Sequence, residues 1–292
     1  MARSYAAVTM IYNEPHFLPI WLQHYGRGVG HANCYVIDHG STDNSTEDVH
    51  GANRVRIPRS PMHDAKRARF VSNFVSSLLE WYDGVIYSDV DELLVPEPER
   101  YESLQDFCER APYDTVTTFG LNVWHVPGEK PVAAGQHVLE QRHFVRFAYP
   151  MCKPLFSRVG LAWAPGFHTC NVPSAMGGLF LFHLHHYDLP VKMARLSKTR
   201  VMPWGDAIPE HYQLWTDEKY LEMYNAVVGL PREQHSLRPD DPFVLERSEP
   251  LNLLLRNPDQ VRNFYLSIPP KDAALIEIPA RLRSAITAQV PS

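Results

Sequence analysis

Apolar positions along the first hundred residues come in two rhythms. Ala6 to Ile11 (AAVTMI) is a short continuous run that stops at Asn13-Glu14-Pro15. It predicts a buried strand followed by a helix start, with Asn13 able to cap and Pro15 suited to a first helical turn. Phe17, Leu18, Trp21, Leu22 and Tyr25 then recur at helical spacing until Gly26, Gly28 and Gly30 end the pattern. Cys34 to Asp38 reads as a second strand, closed by the polar turn His39-Gly40-Ser41-Thr42-Asp43. Asp64 to Trp81 reads as a long helix whose apolar face carries Ala68, Val71, Phe74, Val75, Leu78 and Leu79. Gly84 to Ser88 is a third strand running directly into Asp89-Val90-Asp91-Glu92. The order β-α-β-α-β predicts a mostly parallel sheet with right-handed crossovers. Ligands of such sheets sit off the carboxyl ends of the strands. Asn13, Asp38 and Asp89 all fall there, so three separate segments direct polar groups at one crevice.

From Thr115 to about Arg200 the chain is richer in aromatics and histidine. Strands are predicted over Thr115 to Phe119 and Leu179 to Phe182, and Gln141 to Phe147 carries a weaker strand pattern. Beyond Pro203 the pattern is proline-punctuated and partly helical, with helices predicted over Asp217 to Val228, Asp259 to Leu266 and Lys271 to Val290. This divides the chain at 1–115, 116–202 and 203–292: two halves of one α/β domain and a C-terminal extension. No internal repeat or low-complexity segment interrupts it.

Composition narrows the function classes. The 292 residues are 45% hydrophobic and 21% charged, enough to bury a full core, and the formal net charge is −5. No basic stripe is present to meet a nucleic-acid backbone, which leaves room for a small anion held by a few local groups. The longest nearly apolar run, Gly177 to Phe182, falls far short of the roughly 20 residues of a membrane span. The N-terminus lacks the apolar core and cleavage site of a signal peptide. Cys34, Cys108, Cys152 and Cys170 show no CxxC spacing, which argues against a disulfide scaffold or zinc ribbon. A cytoplasmic protein is expected; peripheral attachment at the inner membrane surface stays open, although no basic amphipathic helix argues for it.

Asp89-Val90-Asp91 is the leading chemical element. Residues i and i+2 of an extended chain face the same side, so both carboxylates can address one cation. Mg²⁺ and Mn²⁺ combine one or two carboxylates with substrate phosphates. The bland alternative is a cap pair or a solvated turn. Asp38 to Asp43 offers a carboxylate for a base edge or ribose hydroxyl and a Gly-Ser turn that lets backbone approach a ligand; it reads equally well as an Asx turn. In His183-Leu184-His185-His186-Tyr187-Asp188, His183 and His185 share a strand face, which is metal-ligand geometry. An all-protein zinc site would need further ligands that the sequence does not supply. Lys153 could neutralise a diphosphate or lie on the surface. His168 could be a site residue or a half-buried histidine satisfied by backbone. Asp64 and Lys66 open the helix leading to the third strand, where backbone N–H groups accept anions; capping by Asp64 is the simpler account.

Met10-Ile11-Tyr12-Asn13-Glu14, Trp21-Leu22-Gln23-His24-Tyr25, Ile37 to Asp43 and Ser88-Asp89-Val90-Asp91-Glu92-Leu93 together resemble a family-2-type glycosyltransferase, in the branch related to glycosyltransferase family 92. The resemblance covers roughly residues 5 to 200, with Lys153 and His186-Tyr187 matching that branch's mid-chain lysine and late His-Tyr. It implies a GT-A-like, Rossmann-related α/β fold with a mostly parallel sheet, flanking helices and a partly helical C-terminal extension. Residues 1–115 would then be the nucleotide-sugar-binding half and 116–202 the acceptor and metal half.

The implied activity is a metal-dependent, inverting glycosyl transfer from a UDP- or GDP-sugar to a glycan or other hydroxyl acceptor. Asn13, Glu14, Asp38, Ser41, Asp64, Lys66, Asp89 and Lys153 would bind the donor, with Asp38 near the nucleobase. Asp89, Asp91 and a histidine of the 183–186 cluster, His183 or His186, would hold Mn²⁺ or Mg²⁺. Asp188 is the candidate base that deprotonates the acceptor, with His168 behind it. The Gln-x-x-Arg-Trp sequence of family 2 is absent, and so is a C-terminal membrane segment, which argues against a processive polysaccharide synthase. A catalytically silent nucleotide-sugar-binding protein and a metal-dependent nucleotide-sugar hydrolase are the alternatives. A nucleotidylyltransferase would need a Gly-rich basic loop where Asn13-Glu14-Pro15 stands.

Overall fold

The computed structural model describes residues 3–205, 212–258 and 274–291. Its centre is a parallel array in which β1 (Tyr5–Ile11) lies between β2 (Cys34–Asp38) and β4 (Gly84–Tyr87), with β3 (Asn53–Arg56) outside β2. Six of the seven β1 residues are buried, because α1 (Phe17–Val29) and α2 (Asp64–Leu78) help to cover the sheet. This is why the strand reads as a continuous apolar run and not as an alternation. The α/β architecture expected from the sequence is the one that forms.

The rest of the sheet is mixed. β6 (Thr115–Trp124) pairs antiparallel with β8 (Pro154–Ser157) near its start and with β7 (Phe144–Phe147) near its end. β8 joins this half to β4. Along its other edge β6 runs parallel to the long strand β9 (Ala175–His186), which carries β5 (Glu92–Pro96) antiparallel on its far side. After a short helix α3 (Leu104–Arg110), the remaining elements are α4 (Leu189–Arg200), α5 (Asp217–Val228), the edge strand β10 (Arg232–Gln234), α6 (Pro242–Leu255), β11 (Leu275–Glu277) and α7 (Ala280–Arg283). A second, smaller core of Trp124, Leu196, Tyr220, Tyr224 and Val227 seats α4 and α5 against the end of β6. Among the described residues no helix is long and apolar enough to cross a membrane.

Several boundaries differ from the sequence reading. The long helix stops at Leu78, because the chain turns there (Trp81 N–H to Leu78 O, 2.9 Å) and leaves Trp81 85% exposed. The third strand does not run on through Asp89: it ends at Tyr87, the chain turns, and Glu92–Pro96 pairs with β9 instead. Over Gln141 to Phe147 only Phe144–Phe147 is strand, after a 3₁₀ turn. The expected helix over Lys271 to Val290 is not formed within 274–291, where Ile276 and Glu277 pair with β7 and only Ala280–Arg283 is helical after Pro279. The expected helix Asp259 to Leu266 lies outside the described residues.

Two buried carboxylates fasten the ends of the fold. Asp38, fully buried, accepts from the Ser41 N–H (2.7 Å), Thr46 Oγ1 (3.0 Å), Arg54 Nη2 (2.8 Å) and Arg56 Nη1 (2.7 Å). It thus ties the β2 turn to β3. Asp188 caps α4 by accepting from the Val191 N–H (3.0 Å), and also accepts from the Val132 N–H (2.9 Å) and from Arg142 Nη2 (2.9 Å). Arg142 is itself fully buried. The expectation that Asp188 is the catalytic base is therefore corrected: its oxygens are committed to a helix cap and a buried ion pair.

Removing one partner of a buried pair leaves an uncompensated charge and costs about 3 kcal/mol or more. Asp188→Ala is expected to lose that amount in urea unfolding and Asp188→Asn less, since Asn can still cap. At Asp38 burial alone would raise the carboxyl, but the Ser41 N–H, Arg54 and the Ser41 and Thr46 hydroxyls outweigh it and bring it down to about 2. A lowered folded value stabilises above the unfolded one and fades as protons bind. The contribution should thus be full at neutral pH and lost as pH falls from about 4 towards 2, and Asp38→Asn should narrow the difference between the urea midpoints at pH 7 and pH 3.

Candidate functional site

The C-terminal ends of β1 and β2, the turn after β4 and one face of α4 enclose a crevice. Its walls carry Arg59, Arg67, Lys192, Arg195 and Lys198 against the carboxylates Glu14, Asp89 and Asp91. Helix α4 contributes three of these cations because Lys192, Arg195 and Lys198 recur every three residues on one side. Burial lowers the Lys192 ammonium to about 7, so the fixed positive charge comes from the three arginines and Lys198, and in a partly enclosed site it favours an anion.

The floor of the crevice is built by β9 and the turn after β4. The Leu184 N–H donates to the Asp91 carbonyl at 2.7 Å, which places the Asp91 side chain between the histidines that flank Leu184. His183 Nε2 and His185 Nδ1 lie 3.4 and 3.5 Å from Asp91 Oδ2. Ligand atoms of Asp91, His183 and His185 all lie within 4.8 Å of one another, a group able to hold a metal ion. His183 Nδ1 is 2.8 Å from Asn122 Oδ1. That oxygen can only accept, so Nδ1 carries the proton and Nε2 offers its lone pair to the site. Burial would favour a neutral Asp91, but the Arg195 guanidinium outweighs it and helps hold the carboxyl well below the usual range. Burial also keeps His185 neutral, far below the usual imidazole value, as a metal ligand must be.

His186, expected as a ligand, is turned away. Its ring stacks on Trp124 (centroids 4.0 Å apart, 8° between planes) and its Nδ1 is 2.9 Å from the Tyr220 hydroxyl. A register shift between Asn122 and Trp124 sets two β9 residues, Leu184 and His185, against one on β6, a β-bulge that lets the strand re-aim its side chains. His185 takes the place given to His186.

Asp89 lies on the crevice wall outside the Asp91 group. Its Oδ1 accepts from Arg67 and from the Tyr87 hydroxyl (3.0 Å), and Lys153 Nζ is 3.5 Å from its Oδ2. Lys153 sits closer to buried Glu92 (2.5 Å), whose other oxygen accepts the Asp89 N–H at 3.1 Å. The structure thus brings Lys153 beside Asp89, as a strut under the turn.

Among the other expected donor residues, Asn13 adopts a left-handed φ of 51° and knits the β1 and β2 turns together. Its N–H donates to Ser41 Oγ (3.0 Å) and its Oδ1 accepts the Thr42 N–H (2.8 Å). Glu14 faces α4, accepting from Lys198 Nζ (2.7 Å) and Arg195 Nε (3.3 Å). Asp38 and Ser41 stand behind the crevice as supports, and Asp64 and Lys66 do not line it. The neighbour Arg67 does. His168 is held by Pro150 O at its Nδ1 (2.5 Å), and burial with the nearby Lys153 charge lowers it to about 4. It is neutral at pH 7, with Nε2 left to accept a proton.

Sequence reasoning passed over Arg59, Arg67 and the cations of α4. For α4 a signal was available in the i, i+3, i+6 recurrence of Lys192, Arg195 and Lys198 just after the histidine cluster. Arg59 carries no pattern of its own; its guanidinium reaches the crevice by lying 3.8 Å over the Tyr12 ring.

No family model matches the chain, and no curated protein does. Among solved structures it is similar to S. aureus TarS 1–349, with TM-score 0.31 and 13% identity over 52% of this chain and 46% of that one. The chain thus spans about half the length of that structure. It is also similar to mannose-1-phosphate geranyltransferase from Thermus thermophilus, with TM-score 0.32 and 12% identity over 99% of this chain and 75% of that one. A third likeness is to CMP:2-keto-3-deoxy-manno-octonic acid synthetase complexed with CTP, with TM-score 0.29 and 11% identity over 77% and 87% of the two chains. Likenesses this distant leave the activity to be argued from the site itself.

Proposed function

We propose that this chain is a metal-dependent glycosyltransferase of the GT-A type, which moves a sugar with inversion from a UDP- or GDP-sugar to a glycan or other hydroxyl acceptor. The observation that carries the reading is the meeting of two features in one crevice. Asp91, His183 and His185 form a group that could hold a metal ion, and Arg59, Arg67, Lys192, Arg195 and Lys198 line the space beside it. A nucleoside diphosphate sugar presents the matching chemistry, a compact anion that shares a divalent ion with the protein.

A Mn²⁺ or Mg²⁺ ion bound to Asp91, His183 and His185 would supply Lewis-acid stabilisation of the departing diphosphate. Asn122 fixes the His183 ring so that Nε2 faces the site. Arg67 holds Asp89 at the rim, and the cations of α4 are placed to balance diphosphate charge. Asp188 is committed to its cap, and His168, lowered to about 4 and outside the residues that line the crevice, is too weak a base at neutral pH to be assigned the attacking hydroxyl's proton.

The test is a thermal-shift screen of UDP, GDP, CMP and their common sugars, each with and without Mn²⁺. One nucleotide family should raise the melting temperature in a metal-dependent way. Asp91→Asn should lose the metal-dependent part of the shift, and Asp89→Asn should weaken it. Folded protein that responds to no nucleotide, with or without metal, would overturn the reading. Hydrolysis of the donor that no acceptor ever diverts would replace transfer by nucleotide-sugar hydrolysis.

A further inference from the structure

Asp91 Oδ2 has a third neighbour besides the two histidines. Arg195 Nη1 donates to the same oxygen, and its Nε is 3.3 Å from Glu14 Oε1. Glu14 is in turn 2.7 Å from Lys198 Nζ. The guanidinium therefore lies between two carboxylates on different elements, Glu14 after β1 and Asp91 after β4. Asp91 and Glu14 are both almost wholly buried, with side chains 4% and 10% exposed. The position has low solvent screening, and it is the position at which a dication would be bound.

A guanidinium and a divalent ion cannot use the lone pairs of one carboxylate oxygen at close range without mutual repulsion, and burial makes that repulsion stronger than at the surface. Two arrangements relieve it. Either Arg195 leaves Asp91, or an anion enters between the two cations. Arg195 lines the same crevice as Arg59 and Arg67, so a diphosphate placed there lies within its reach and would provide that anion.

We infer that Arg195 is a built-in counter-ion that keeps the metal position closed to a bare divalent ion and yields it when a nucleoside diphosphate arrives. Metal and diphosphate then bind as a coupled pair, each raising the affinity for the other by the same factor, as linkage requires. Glu14 keeps the departing guanidinium tethered at the crevice wall. Arg195 acts here as a positioning residue, and the inference rests on the Asp91–His183–His185 metal site proposed above.

The experiment is a Mn²⁺ titration of the full chain followed by the electron paramagnetic resonance signal of free Mn²⁺, with and without UDP and GDP. The wild type should bind Mn²⁺ weakly alone and at least about tenfold more tightly with the preferred nucleotide. Arg195→Gln should bind Mn²⁺ about tenfold more tightly than wild type without nucleotide, and the further gain on adding nucleotide should be smaller than in wild type, keeping only the part owed to the diphosphate's own bonds to the metal. A merely structural ion pair would show the opposite, since loosening α4 would weaken metal binding. Arg195→Met replaces the Gln variant if melting shows that the latter does not fold.

Unchanged or weaker Mn²⁺ binding in the folded Arg195 variant, while Asp91→Asn abolishes binding, would overturn the counter-ion inference and leave the metal site standing. Absence of Mn²⁺ binding in wild type and variant alike, with and without nucleotide, would overturn both.

Discussion

One carboxylate oxygen, Asp91 Oδ2, is where the separate parts of this molecule meet. It faces two imidazoles from β9 and a guanidinium from α4, and its own backbone carbonyl is bound by the N–H between those imidazoles. A buried carboxylate without such partners would protonate or destabilise the fold. The sheet, the long strand and the helix after it are thus obliged to arrive together. Glu14 extends the same arrangement to β1, so the parallel half of the sheet and α4 are joined across the crevice through charge.

That arrangement separates support from function among residues that look alike in sequence. Asp38, Asp188, Glu92 and Asp91 are all buried acids near strand or helix ends. Asp38 and Asp188 have their oxygens taken by backbone N–H groups and arginines on supporting elements. Glu92 is taken by Lys153 and the Asp89 N–H. Of the four, Asp91 alone has two imidazoles opposite it. The distinction is one of surroundings, and residue type carries none of it.

The parallel core was legible because each central strand is an uninterrupted apolar run bounded by turn residues: Cys34–Asp38 forms as read, and so does the later helix Asp217–Val228. The short outer strands were not. Asn53–Arg56 is polar, and Pro154–Ser157 begins with proline, so nothing in their composition marks them; they exist through pairing with distant chain. Of the site, Asp91 and His183 were legible as metal candidates, but the i, i+2 reading of Asp89 and Asp91 as two ligands of one cation assumed an extended chain, and residues 88–91 are a turn that leaves Asp89 outside the group. His185 was legible as well, since strand alternation puts it on the face of His183, although the ligand set drawn from the resemblance took His186 instead. Asp188 misled for another reason: its distance from the chemistry was readable along the chain, while its bond to Arg142 spans 46 residues.

The bulge at the end of β9 has a consequence for how this chain can vary. A loop absorbs an inserted residue by lengthening, but β9 is paired on both sides, with β5 from Leu179 to His183 and with β6 over most of its length. One residue added or lost between them would exchange the two faces of everything that follows. Leu184 or its neighbour would then meet Asp91, and a histidine would be pushed among the aromatics around Trp124. The strand therefore measures chain length as strictly as it selects side chains. Relatives of this protein should differ freely in residue type on the rim of the crevice, and hardly at all in the number of residues that separate β9's start from its histidines.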